Sequence, residues 1–273
     1  MPVLAHTMRA LSIVMLVAGA TITEAGSGEP KVPPGRDPGG PAVAIIGAGL
    51  DDRRPEVASR LARDGEGEPI AWDFADADRR PFAARGGDDS LAAIMLGEGR
   101  AARLVVARVG AGRQDQIAAA LRFAGSTPAR VVLIAADPGQ GLARAHLAEA
   151  ARHLAGLLLV VPARRVIFEA DAQNASGHRG GLLIVAAEGG PAGADVAVVA
   201  AAPASGPAAA ATASGTHPDD VAAAQVAALA ARLITLEPGL AGAALGARIL
   251  SLAGPRPAGP PALSGIARIY GQD

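Results

Sequence analysis

Ala42-Val43-Ala44-Ile45-Ile46-Gly47-Ala48-Gly49-Leu50 is the stretch on which the fold turns. Its apolar run is short for a helix and has no alternating polar residue. It therefore predicts a strand buried on both faces that ends in a glycine turn. The same signature recurs along the chain. Further strands are predicted over residues 69–74, 103–109, 130–135, 157–161, 182–187 and 195–199. Helices are predicted over 56–63, 89–96, 114–124, 142–155, 220–235 and 240–251. Such alternation predicts an α/β domain: three layers, α/β/α, around a mostly parallel central sheet.

The composition agrees with that plan. A chain of 273 residues is long enough to bury a substantial core. Half of it is hydrophobic but only 2% is aromatic, so alanine, valine, leucine and glycine must fill that core. Lys31 is the only lysine among 25 basic residues, a bias that with abundant alanine and glycine points to GC-rich coding rather than to phosphate binding. The formal charge is −1, with no basic block and few rings for stacking, which argues against a nucleic-acid partner. The absence of cysteine excludes disulfides, thiolate nucleophiles and Cys-ligated zinc.

At the N-terminus, Arg9 precedes the apolar run Ala10-Leu11-Ser12-Ile13-Val14-Met15-Leu16-Val17. Ala18-Gly19-Ala20 and Thr23-Glu24-Ala25 then offer small-residue cleavage sites. The run is short for a bilayer span and predicts a secretory signal peptide over residues 1–25, with an uncleaved anchor as the alternative. The mature protein is thus expected to be exported, periplasmic or secreted, with no stable membrane span. A Pro/Gly-rich flexible linker is predicted over 26–41, the main domain over 42–253 and a Pro-rich tail over 254–273. The Pro/Ala/Gly segment 200–216 reads as a long loop.

Gly47-Ala48-Gly49 also invites a dinucleotide reading. That fingerprint needs a third glycine so the backbone and helix can approach a pyrophosphate. Asp52 stands there, beside Asp51, and two carboxylates at a helix entrance repel phosphate. Asp73 is only a loose candidate for the ribose-binding acid. No cofactor is expected.

Two further segments stand with the first. One is Gly86-Gly87-Asp88-Asp89-Ser90-Leu91-Ala92-Ala93-Ile94-Met95-Leu96-Gly97. The other is Ser214-Gly215-Thr216 followed by Val221-Ala222-Ala223-Ala224-Gln225-Val226-Ala227-Ala228-Leu229 and Glu237-Pro238-Gly239-Leu240. With Pro55-Glu56 and Trp72-Asp73-Phe74 between them, their order and spacing resemble the subtilisin-like serine proteases over roughly residues 42–253. The resemblance implies a subtilisin-like fold and places a catalytic triad on three positions of this sequence. Gly47 stands where the family has its aspartate and Gly87 where it has its histidine. Asp220 stands at the serine position if the helix is used as anchor, His217 if Gly215-Thr216 is used. Ala224 replaces the family proline near the helix start. The family segment whose backbone pairs with substrate corresponds to Leu133-Ile134-Ala135-Ala136-Asp137. Where the oxyanion asparagine is expected, Val160-Val161-Pro162-Ala163 runs into Arg164-Arg165.

A serine hydroxyl is a weak nucleophile until a histidine takes its proton, and an aspartate sets that histidine's tautomer. Loss of all three, and of the oxyanion donor, leaves no acyl-transfer mechanism at these positions. The resemblance therefore implies an inactive pseudoprotease with a peptide- or protein-binding or regulatory role. The alternative is an active serine peptidase or hydrolase with a displaced site around Ser214 and His217, where Asp219 orients the imidazole. Against it stands a plainer reading, in which Asp219 or Asp220 caps the helix that begins at Val221, with Pro218 just outside. No metal site is expected. Asp51, Asp52, Asp88 and Asp89 would need six or more converging oxygens to hold calcium. His146 and His153 share one helical face without the further ligands zinc requires.

Overall fold

The computed structural model describes residues 32–83, 87–99, 101–168, 180–191, 193–199, 206–256 and 259–264; the predicted signal peptide lies outside them. Eight strands form one parallel sheet. In chain order they are β1 (Ala42–Gly47), β2 (Ala71–Asp73), β3 (Arg103–Arg108), β4 (Ala129–Ile134), β6 (Leu158–Pro162), β8 (Leu182–Ala187), β9 (Val196–Val199) and β10 (Ala262–Ser264). Their spatial order is β10-β9-β8-β6-β4-β1-β3-β2. The short strands β5 (Leu142–Ala143) and β7 (Val166–Ile167) pair separately, also in parallel.

The central strands are buried on both faces because their residues divide between two cores. Val43, Ile45, Leu104, Val106, Val131, Leu133, Leu158 and Val160 pack on one side with α2 (Asp89–Glu98), α5 (Pro207–Ala213), α6 (Pro218–Leu236) and α7 (Gly242–Ser251). Ala44, Ile46, Val105, Ala107, Val132, Ile134, Leu159 and Val161 pack on the other with α3 (Gln114–Gly125) and α4 (Arg144–His153). The period of two along each strand thus builds the three-layer α/β/α arrangement. The fold class is the one the sequence predicts.

The centre of the first layer is α6, buried from Asp219 through Ala231. A helix enclosed on every side must carry small residues, and alanine fills seven of the ten positions from Ala222 to Ala231, the others being Gln225, Val226 and Leu229. Beside it, α2 buries Leu91, Ala92, Ile94 and Met95. A Cβ on Gly97 would lie 2.9 Å from Pro207 Cγ, so the glycine is what admits α5 so close to α2.

Several local expectations are corrected. The helix predicted over 56–63 is the short α1 (Pro55–Ala58). Beyond it Ala62 N–H donates to the Leu104 carbonyl (2.7 Å), and Ile70 N–H to the Ala62 carbonyl (2.8 Å), so sheet partners claim this backbone. The helix predicted from 142 begins at Arg144, because Leu142 and Ala143 pair with β7. The loop expected over 200–216 contains α5, with Pro207 in the first-turn position that tolerates a missing N–H. The tail contributes β10, in register with Ala197, Val198 and Val199. The second half of the expected linker lies against the domain: Asp37 Oδ2 accepts from Arg63 N–H (2.8 Å) and pairs with Arg103.

Candidate functional site

The C-terminal end of β1 and the N-termini of α2 and α6 face one another, with the turn after β6 between them. All three positions singled out by the sequence stand in this cleft, but not as a triad.

Gly47 and Gly87 are enclosed by other atoms. A Cβ on Gly47 would collide with Asp88 Oδ2, and one on Gly87 would lie 2.7 Å from the Gly49 carbonyl oxygen. The space beneath Gly47 is taken by the Asp88 carboxyl, whose Oδ2 accepts from Ala48 N–H at 2.6 Å. Asp88 is the N-cap residue of α2 but makes no side-chain cap; it is turned toward β1 instead. Gly49 continues the turn with φ +92°, a conformation glycine adopts without strain.

Asp220 is held by two guanidiniums. Arg164 Nη2 donates to its Oδ2 at 2.5 Å and Nε reaches both oxygens at 3.1 Å. Arg165 adds Nε to Oδ1 and Nη2 to Oδ2, both 3.2 Å. Asp220 and Arg165 are each 5% exposed, so this is an interior ion pair. The Asp220 charge, with its neighbours Asp137 and Asp219, raises the Arg164 pKa against the opposing effect of burial. Arg165 Nη1 is also bonded to the Ala136 carbonyl. The arginines that follow β6, where the resemblance puts the oxyanion asparagine, thus neutralise the residue at the nucleophile position.

The alternative site divides in the same way. His217 is the N-cap of α6: its Nδ1 accepts from Asp219 N–H at 3.2 Å. The helix starts at Pro218, two residues earlier than predicted, and the cap is the imidazole rather than either aspartate. Asp219 instead ties the helix start to two strand ends, accepting from Ala187 N–H (2.8 Å) and Arg164 N–H (3.0 Å). Ser214 Oγ donates to the Ala211 carbonyl at 2.8 Å. Each member therefore has a local partner, and with Nδ1 accepting from the backbone the neutral imidazole carries its proton on Nε2, so neither ring nitrogen is left to take a serine proton in this arrangement.

The segment 133–137 has its backbone committed internally. Ala135 and Ala136 N–H both donate to the Ile46 carbonyl, each at 2.8 Å, and the Asp137 carbonyl accepts from Gly112 N–H at 2.9 Å. Gln114 Nε2 closes the same loop by donating to the Gly141 carbonyl at 2.9 Å. The loops after β3 and β4 are in this way joined directly.

The other candidates disperse. Asp51 pairs with Arg53 (2.8 Å), and Asp89 Oδ1 accepts from Asp51 N–H (2.9 Å). Among the described residues no three acidic or histidine side chains converge as metal ligands do. Asp73 is fully buried against Arg108 and caps its own turn through Ala75 and Asp76 N–H, so it is no ribose ligand. His146 and His153 are exposed on α4, and Glu149 lies 3.7 Å from His153. What sequence reasoning missed is Asp88 as the filler beneath Gly47 and the arginine clamp on Asp220. Ser90 Oγ also meets Thr216 Oγ1 at 3.1 Å, joining the starts of α2 and α6. No pattern within one segment announces these contacts.

No protein-family model matches the chain, and no curated protein matches it. Solved structures do. A cold-adapted subtilisin-like serine proteinase superposes with TM-score 0.55 at 14% identity, over 85% of this chain and 91% of its own. The nisin leader peptidase NisP from Lactococcus lactis gives 0.53 at 13% identity, over 88% and 89%. A lanthipeptide protease gives 0.51 at 14% identity, over 78% and 80%. The fold is subtilisin-like.

Proposed function

We propose that within this subtilisin-like fold the chain is an exported, catalytically inactive protein that binds a peptide or protein partner. The observation that carries the reading is the content of the triad positions: two glycines with no room for a side chain, and a carboxylate held by two arginines. A group so engaged offers neither a nucleophile nor a base. Fold alone does not confer the protease chemistry of the structural neighbours. The joined loops after β3 and β4 leave few free backbone groups for an extended peptide to pair with. The partner is accordingly read as docking through side chains and loop surfaces at the cleft mouth, not by adding a strand.

Export rests on the N-terminal sequence pattern, and among the described residues no helix is long and apolar enough to cross a membrane. The competing reading, a hydrolase using Ser214 and His217, requires both side chains to leave the partners they hold. Fluorophosphonate labelling of the purified full chain, with mass mapping of any adduct, tests the two readings. No adduct in folded protein is the expected result. Labelling at Ser214 that disappears in Ser214→Ala would overturn the proposal and establish the displaced site.

A further inference from the structure

The outer face of α4 carries a row of metal-ligating side chains that the cleft does not use. His146, Glu149 and His153 are spaced i, i+3 and i+7, so all three stand on one side of the helix. Leu147 and Ala151 turn inward to the core, and the row faces solvent. Glu149 and His153, one turn apart, bring Oε1 and Nε2 to 3.7 Å, with side chains 58% and 77% exposed. A tetrahedral zinc ion with ligands at 2.0–2.2 Å holds neighbouring ligand atoms about 3.4 Å apart, so the pair is already close to the spacing the ion needs. Arg152, three residues from Glu149, is the nearest cation on α4; it is exposed, where water weakens its hold on the carboxylate.

One chain supplies only two ligands to such an ion. His146 lies two turns, about 10 Å, from His153 and cannot join it; among the described residues no third ligand converges on the pair. The row is, however, its own complement. A second copy of α4 laid antiparallel, with the two-fold axis between Glu149 and Ala150, sets the partner's His146 beside His153 and His153 of the partner subunit beside His146. The side chains flanking the row are the small Ala145 and Ala150, which let the two helices approach.

We infer that this row is half of a divalent-metal site of the zinc type, completed by a second copy of the chain. Each of two equivalent ions would be held by His153 and Glu149 of one molecule and the partner's His146, with a fourth position left to water. Two imidazoles and a carboxylate are a ligand set that zinc accepts. The site lies on the layer opposite α2 and α6, so it is independent of what the cleft binds.

Sedimentation velocity of the untagged full chain tests it, first in EDTA and then with zinc chloride. Zinc is expected to double the mass, with two ions per dimer, and EDTA to reverse the change. His146→Gln and His153→Gln should each stay monomeric in zinc; both side chains are exposed, so folding is not at stake. An equimolar mixture of the two variants rebuilds one intact site and should recover dimer. A mass that zinc does not change would overturn the inference. So would a zinc-induced dimer that persists in either variant, since His6, His178 and His217 remain there, or a mixture that stays monomeric.

Discussion

The hole beneath Gly47 and the carboxyl that fills it form one unit, so their effects on stability should be coupled. Gly47→Ala pushes a methyl into Asp88 Oδ2 and is expected to cost about 1–3 kcal/mol, as overpacking does. In Gly47→Ala/Asp88→Gly the collision is gone, and urea denaturation should recover at least half of that loss. Simple additivity of the two changes would refute the coupling. Asp220→Asn leaves Arg165 buried without its counter-charge and should cost about 3–5 kcal/mol. The pH dependence has a definite sign. Because Asp88 binds its proton more tightly folded than unfolded, the stability it contributes is present below its unfolded value of 3.8. It is lost as pH rises toward about 7. Denaturation midpoints at pH 5 and pH 8 should therefore converge in Asp88→Asn relative to the unaltered protein. An unchanged gap would show that other groups set the slope.

Among the elements, α6 is the most exacting. Its sequence is legible as an apolar helix, but its start is not: Asp219 and Asp220 look like caps, while the imidazole of His217 is the group that accepts from Asp219 N–H. His217→Ala should cost about 1 kcal/mol, and His217→Asn, which keeps a cap acceptor, much less. Equal losses in thermal melts of the two variants would remove the capping role. Since α6 is enclosed all round, Ala227→Leu has nowhere to place three extra carbons and should cost about 1–3 kcal/mol or more. The corrections at α1 and β5 share one cause. Local periodicity favours helix at both, and long-range partners, Leu104 for Ala62 and Val166 for Leu142, claim the backbone instead.

For the whole molecule, both cores rest on a single eight-stranded sheet, so neither helical layer has a sheet of its own. Heat or denaturant should unfold it in one transition, with Trp72 fluorescence from the edge strand β2 and far-ultraviolet circular dichroism coinciding. Separate midpoints would mean that the layers or the edge strands melt independently. The alternation of strands with helices and the three layers lay open in the sequence, because strands buried on both faces read as short continuous apolar runs and a helix face repeats every 3.6 residues; the order of the strands in the sheet did not. The sequence also shows that Gly47 and Gly87, where the resemblance puts two residues of a triad, are glycines. What the cleft contains instead was not legible. Asp88 meets Ala48 across 40 residues, and Arg164 meets Asp220 across 56. By itself, then, the sequence determined a parallel α/β domain with glycine at two of the positions the resemblance singles out. Only the tertiary structure decided that a carboxyl and an arginine clamp occupy their place, because such contacts depend on which distant chain ends the sheet brings together, and no local pattern records that.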